Sequence, residues 1–228
     1  MTRDAPEERA WLRETAGEAR LPVLLAILVA VALQAALPRH LAVVRWWVIV
    51  APEVLLLAVT VAGNPLRLSR DTAFLRRSSL LLSAVVIAAN SASAVLLVHA
   101  LVSPGSHPVG DDASSLLIDG GSVYATNVLA FGLAYWELDR GGPFARMHGS
   151  RPYPDLLFPQ MSMTGVSDPT WEPAFFDYLY VSFTNATAFS PTDTMPLARW
   201  TKALMLVQSA VALVVVGLVV ARAVNVLR

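Results

Sequence analysis

The residues best placed to do chemistry in this sequence are polar and ionisable side chains stranded in apolar runs. A charge at the centre of a bilayer costs about 2.5–3.5 kcal/mol on insertion scales, so such a residue is a functional candidate by default. Glu53 stands eight residues into the apolar run 46–63, next to Pro52. Proline leaves the carbonyl one turn back without its helical partner, which opens a polar pocket near the carboxyl. One reading of Glu53 is a proton or cation site facing a bundle interior. The other is a protonated carboxyl hydrogen-bonded to a neighbouring helix for packing alone. Asp119, five residues into the run 115–136 and beside Gly120-Gly121, reads either as a buried site or as an interfacial residue near a headgroup. Asn90, Ser91 and Ser93 make a polar step within 79–102, as Asn127 does within 115–136. These are expected to form interhelical packing bonds, averaging about 0.6 kcal/mol each in measured membrane cases.

The densest polar set comes later. Residues 174–189, AFFDYLYVSFTNATAF, are aromatic-rich but contain Asp177, Thr184, Asn185 and Thr187; Ser190, Thr192 and Asp193 follow. The set reads as a binding site or pore mouth at the end of a short helix. Asp193 has a second reading, as the cap of the following helix in Asp193-Thr194-Met195-Pro196. That cap does not account for Thr184, Asn185 and Thr187 on the preceding segment. Catalytic constellations are missing from the sequence: no nucleophile elbow, phosphate loop or dinucleotide fingerprint occurs. His40, His99, His107 and His148 are scattered without metal-ligand spacing, and with no cysteine there is neither a disulfide nor a thiolate metal site. We therefore expect no enzyme activity, no cofactor and no metal centre.

The elements that carry these residues follow from composition. Of 228 residues, 55% are hydrophobic and 15% charged, against about 25% charged in an ordinary soluble domain. The 17 basic and 17 acidic residues cancel, and nine of them fall in the first 20 positions. That pattern excludes a soluble globular enzyme, a disordered chain and a basic nucleic-acid binder, and leaves a multi-pass membrane protein. Arginine outnumbers lysine sixteen to one, a bias consistent with a GC-rich bacterial genome.

A bilayer core roughly 30 Å thick needs about 20 apolar residues in a helix. Five segments qualify as expected spans: 21–37, 46–63, 79–102, 115–136 and 203–221. The first competes with a signal-peptide reading, but its tail is acidic as well as basic and further spans follow, so a retained helix is preferred. Residues 139–173, rich in proline, are expected to be an irregular loop outside the hydrocarbon. Segment 174–189 is too short and polar for a lipid-facing span, and is expected as a short or re-entrant helix. The expected fold is thus an all-α membrane protein of five spans plus that helix. Residues 1–20 form a cytoplasmic tail, with Trp11 and Leu12 facing headgroups if it is amphipathic and no fixed structure if it is not. Residues 21–228 form one bundle.

Basic residues set the orientation. With the N-terminus inside, the inner face receives Arg3, Arg9, Arg13, Arg20, Arg67, Arg70, Arg76 and Arg77, while the early outer loops hold only Arg39 and Arg45.

Residues 178–227 resemble the pore region of tetrameric potassium channels, in which a pore helix leads into a glycine-bearing filter and an inner helix. The matching positions are Ser182, Ala186, Thr187, Asp193 and Pro196. The filter glycines are replaced by Ser190 and Thr192 with Pro191 between them, so a ladder of carbonyls selective for potassium is not expected. Four spans from a cytoplasmic start also put 139–173 inside, whereas a channel's pore loop enters from outside. The whole chain resembles a family of bacterial multi-pass inner-membrane proteins classed as a domain of unknown function, through Asp177-Tyr178-Leu179-Tyr180-Val181-Ser182-Phe183 and the stretch Phe189 to Asp193. That resemblance implies an inner-membrane location but no activity. The expectation is a channel- or transporter-like protein for ions or small solutes, with a non-conducting membrane scaffold as the alternative. Its partners are the lipid bilayer and, for a potassium-channel-like pore, further copies of itself around one axis.

Overall fold

The computed structural model describes residues 10–15, 17–38, 41, 46–63, 73–102, 113–163, 167–187 and 193–226. Among the described residues, eight α-helices carry the fold: α1 (Leu21–Ala36), α2 (Trp46–Gly63), α3 (Ala73–Val102), α4 (Ala113–Leu138), α5 (Pro143–Met147), α6 (Pro159–Ser162), α7 (Phe175–Thr187) and α8 (Arg199–Val226). A two-residue antiparallel pair, β1 (Leu156–Leu157) with β2 (Met195–Pro196), is a departure from an all-α fold.

Among the described residues, three helices, α3, α4 and α8, are long and apolar enough to cross a membrane. At 1.5 Å per residue the 30 residues of α3 reach about 45 Å. The 16 residues of α1 and the 18 of α2 make shorter apolar helices, about 24 and 27 Å long. Helix α3 begins six residues before the expected start, so Arg76 and Arg77 lie in its first turns and not in a loop. Arginine and serine are compatible with helix there, and apolar Leu75 extends the packing against Gly63 of α2.

Helix α4 is the centre, packing on α1, α3, α7 and α8, while α2 lies against α1 and α3. Gly132 lets α7 approach: a Cβ there would sit 3.3 Å from the Leu179 backbone. Neighbouring contacts fix the register. Ser79 of α3 donates to Glu137 of α4, Gln34 of α1 donates to the Val86 carbonyl of α3, and Gly63 of α2 meets Leu75 of α3. The starts of α1 and α3 and the end of α4 therefore share one end of the bundle.

Helices α7 and α8 start from that same end. Tyr178 of α7 reaches Asp139 just after α4, and Trp200 of α8 reaches Asp155. The two helices run side by side in the same sense, Ser182 and Asn185 meeting Gln208. The chain climbs 13 residues in α7, about 20 Å, and by Met195–Pro196 is back beside Leu156–Leu157. This excursion, short as expected, begins and ends on one side.

Residues 139–173 are largely irregular, as expected, but they fold into the core of the bundle end. Asp139, Arg140, Arg146, Leu156, Phe158 and Met161 are buried within the described part of it. Three successive left-handed residues, Arg140, Gly141 and Gly142 (φ 52, 82 and 97°), turn the chain off α4 and fold it across the bundle end. Apolar side chains spaced between the prolines carry it into the core, a pattern that proline content alone conceals. Asp193 does not cap α8, which begins at Arg199; the strand pair intervenes.

Candidate functional site

Two buried polar regions stand out. The first closes the end of the bundle. Asp139 accepts the Tyr178 hydroxyl at 2.8 Å on one oxygen, and the backbone N–H groups of Asp155 and Leu156 at 3.0 and 3.1 Å on the other. Asp155 accepts the Arg140 N–H at 2.8 Å and the Trp200 indole N–H at 3.1 Å. Arg146, 6% exposed, donates to the carbonyls of Trp136 and Asp139 and makes a 2.7 Å ion pair with Glu18 from the N-terminal segment. Burial works against the Arg146 charge, but Glu18, Tyr178 and Asp139 more than offset it, so its pKa lies above the ordinary arginine value. Trp136 also donates to Glu18.

Arg140 is fully buried and sits 5.1 Å over the Trp11 ring, donating to the carbonyls of Trp11 and Arg151. Trp11 thus packs on the protein, not on headgroups as expected for an amphipathic tail; a buried guanidinium supplies the cation–π partner that lipid would otherwise replace. The cleft between Trp11, Glu18, Arg140, Arg146 and Glu172 has room for about one water. Its charges balance. The region is a structural clamp.

The C-terminal candidates are largely satisfied. Asp177, the third residue of α7, accepts the Ala174 N–H at 2.8 Å, half of a capping box. Thr184 donates to the Tyr180 and Val181 carbonyls, and Thr187 to the Thr184 carbonyl, the usual resting place of a helical threonine. Asn185 donates to the Met205 carbonyl and to Gln208. Gln208, fully buried on α8, also donates to Ser182 and accepts the Tyr135 hydroxyl, tying three helices together. Asp193 is exposed beyond the helix, and Ser190 and Thr192 lie outside the described residues. Asp119 is half-buried near the far end of α4, remote from the others, where Gly120 packs on Val219 of α8. The seven described candidates do not converge on one site.

The second region lies at mid-depth. Glu53 is 0% exposed and neither of its carboxylate oxygens has a hydrogen-bond partner. Asn90 and Asn127, expected to form packing bonds, do not: the Asn90 oxygen and both amide atoms of Asn127 are buried and unpartnered. The Thr126 hydroxyl and the Gln34 oxygen are in the same condition. Among the described residues, no group of three or more His, Asp or Glu side chains could hold a metal ion.

Gln208, Arg146, Asp139, Gln34 and Thr126 were missed in the sequence. Gln208 had a visible signal, as the single amide in the otherwise apolar run 203–221. Asp139-Arg140-Gly141-Gly142 had another, a charged pair with two glycines directly at the end of an apolar helix. No family model, curated protein or solved structure matches the chain.

Proposed function

We propose that this chain is a multi-pass bacterial inner-membrane protein, five helices spanning, that moves ions or small solutes in the manner of a transporter. The carrying observation is Glu53, a carboxyl fully buried in the middle of an apolar helix with both oxygens unpartnered. An isolated buried carboxylate is costly, and packing alone gives no reason to keep it. Helices α1 and α2 reach a little short of a 30 Å core, a mismatch that bilayers accommodate by thinning.

The clamped end is the cytoplasmic one in this reading. Arg13, Arg20, Arg76, Arg77, Arg146, Arg151, Arg199 and Lys202 belong to elements at that end, while Arg222 lies towards the other end of α8. Helix α7 is then a re-entrant helix dipping in from the cytoplasm, opposite in sense to a channel's pore loop. Its satisfied polar groups favour packing over conduction through 184–187. A reporter fused between Gly63 and Ser78 is accordingly cytoplasmic, and an external signal would invert the assignment.

The direct test is flux in liposomes. Solute or ion movement above that of empty vesicles, lost in Glu53→Gln, supports the proposal; movement indistinguishable from empty vesicles refutes it. A second reading, a non-conducting scaffold, is favoured by the clamp, which gathers a dense set of buried hydrogen bonds and an ion pair at one end. A stoichiometric co-purifying partner with no flux would select it.

A further inference from the structure

The unpartnered atoms at mid-depth share a level. Pairing of Ser79 with Glu137 in antiparallel α3 and α4 puts Asn90 level with Thr126 and Asn127. Gln34 bonds to the Val86 carbonyl, one turn along α3 from Asn90. Gly63 against Leu75 puts Glu53, ten residues back along α2, beside the same stretch of α3. Helices α1 to α4 pack in a ring, α1 on α2, α2 on α3, α3 on α4 and α4 on α1, with the Gln34 bond crossing it. Each of the four contributes to this level, within roughly one and a half turns of depth, about 8 Å.

The chemistry of the set is lopsided. Six of its buried, unpartnered atoms are oxygens: two of Glu53 and one each of Gln34, Asn90, Thr126 and Asn127. One is nitrogen, that of Asn127. Because both ends of the Asn127 amide are unpartnered, flipping it changes nothing. A proton on Glu53, with the Thr126 hydroxyl and the Asn127 amide, brings four donor hydrogens to six oxygens and leaves the set short of donors. A hard cation binds oxygen ligands together. A single carboxylate with neutral amide and hydroxyl oxygens makes a neutral unit only with one positive charge, and a neutral unit is what an apolar interior tolerates.

We infer that Gln34, Glu53, Asn90, Thr126 and Asn127 form a binding site for a monovalent alkali-metal cation within the α1–α4 ring. The inference rests on the reading of Glu53 as an ion-handling residue and deepens it. A divalent ion would leave a net positive charge at membrane depth.

The test uses the full-length protein in detergent or nanodiscs. Thermal stability is followed in NaCl, KCl, CaCl2 or choline chloride at matched ionic strength, and binding of radioactive sodium or of rubidium (as the potassium surrogate) is measured directly. Saturable stabilisation and binding by sodium or potassium, absent in choline, support the site; the two arms identify the ion. Glu53→Gln abolishes binding. Thr126→Val, which keeps its shape, weakens it at least tenfold, and Thr126→Ser retains it. Stability equal in all four salts with no saturable binding overturns the inference, as does binding unchanged in both Glu53→Gln and Thr126→Val. Preferential calcium binding also overturns it. Proton-coupled flux through wild type with no alkali-cation binding would sink this site and leave the transporter reading standing.

Discussion

The clamped end and the mid-depth ring are both buried and polar, yet they differ in how far their hydrogen bonds are made. In the clamp, Asp139, Asp155, Arg146 and Glu18 meet partners from the N-terminal segment, the end of α4, β1, α7 and α8. In the ring, Glu53 meets none. A buried group with all its bonds made holds a structure in one arrangement, whereas a buried group lacking them costs stability and is retained for something else. Burial alone therefore does not separate the two regions: the clamp makes most of its bonds and leaves the Trp11 indole N–H and one Arg140 nitrogen unmet, whereas Glu53 makes none.

That contrast breaks most readily at the clamp. Arg146→Ala removes one partner of a buried ion pair and leaves Glu18 and the carbonyls of Trp136 and Asp139 unmet. It should cost about 3–5 kcal/mol, read by unfolding in mild detergent. At the ring the sign reverses: Glu53→Leu replaces an unpartnered carboxyl with an apolar side chain and should raise stability by about 1–3 kcal/mol while abolishing flux. Stability lost in both variants would erase the distinction. The Gln208 knot sharpens it further, since Gln208→Ala strands Tyr135, Ser182 and Asn185 together, for a loss of about 2 kcal/mol without a direct effect on cation binding. The smallest effect belongs to the α7 cap, where Asp177→Ala should cost about 1 kcal/mol or less.

Most of the frame was legible in the sequence. The apolar runs at 21–37, 46–63, 79–102, 115–136 and 203–221 coincide with α1, α2, α3, α4 and α8, because the period and length of an apolar helix are local properties. The short 174–189 helix was legible too, from its polar content. The packing of residues 139–173 was not, since the burial of Leu156, Phe158 and Met161 depends on partners more than a dozen positions away. The same holds for the candidates. Glu53 declared itself by standing alone in an apolar run. Thr184 and Asn185 looked equally conspicuous, and only the positions of Tyr180, Met205 and Gln208 reveal that their bonds are made. Thr126 hid beside Asn127, because a threonine in a membrane helix ordinarily bonds to its own backbone.

The pairing of Glu18 with Arg146, 128 residues apart, has a consequence during synthesis. At about 5–20 residues per second, the N-terminal segment emerges roughly 6–25 s before its partner exists. Through that interval Trp11 and Glu18 have nothing to dock on, and the first helices must insert with their leading end unclasped. Closure of the clamp then marks the moment at which α4 and the turn after it have arrived, so an N-terminal segment delivered last in sequence, as in a circular permutant, would meet a surface already waiting for it.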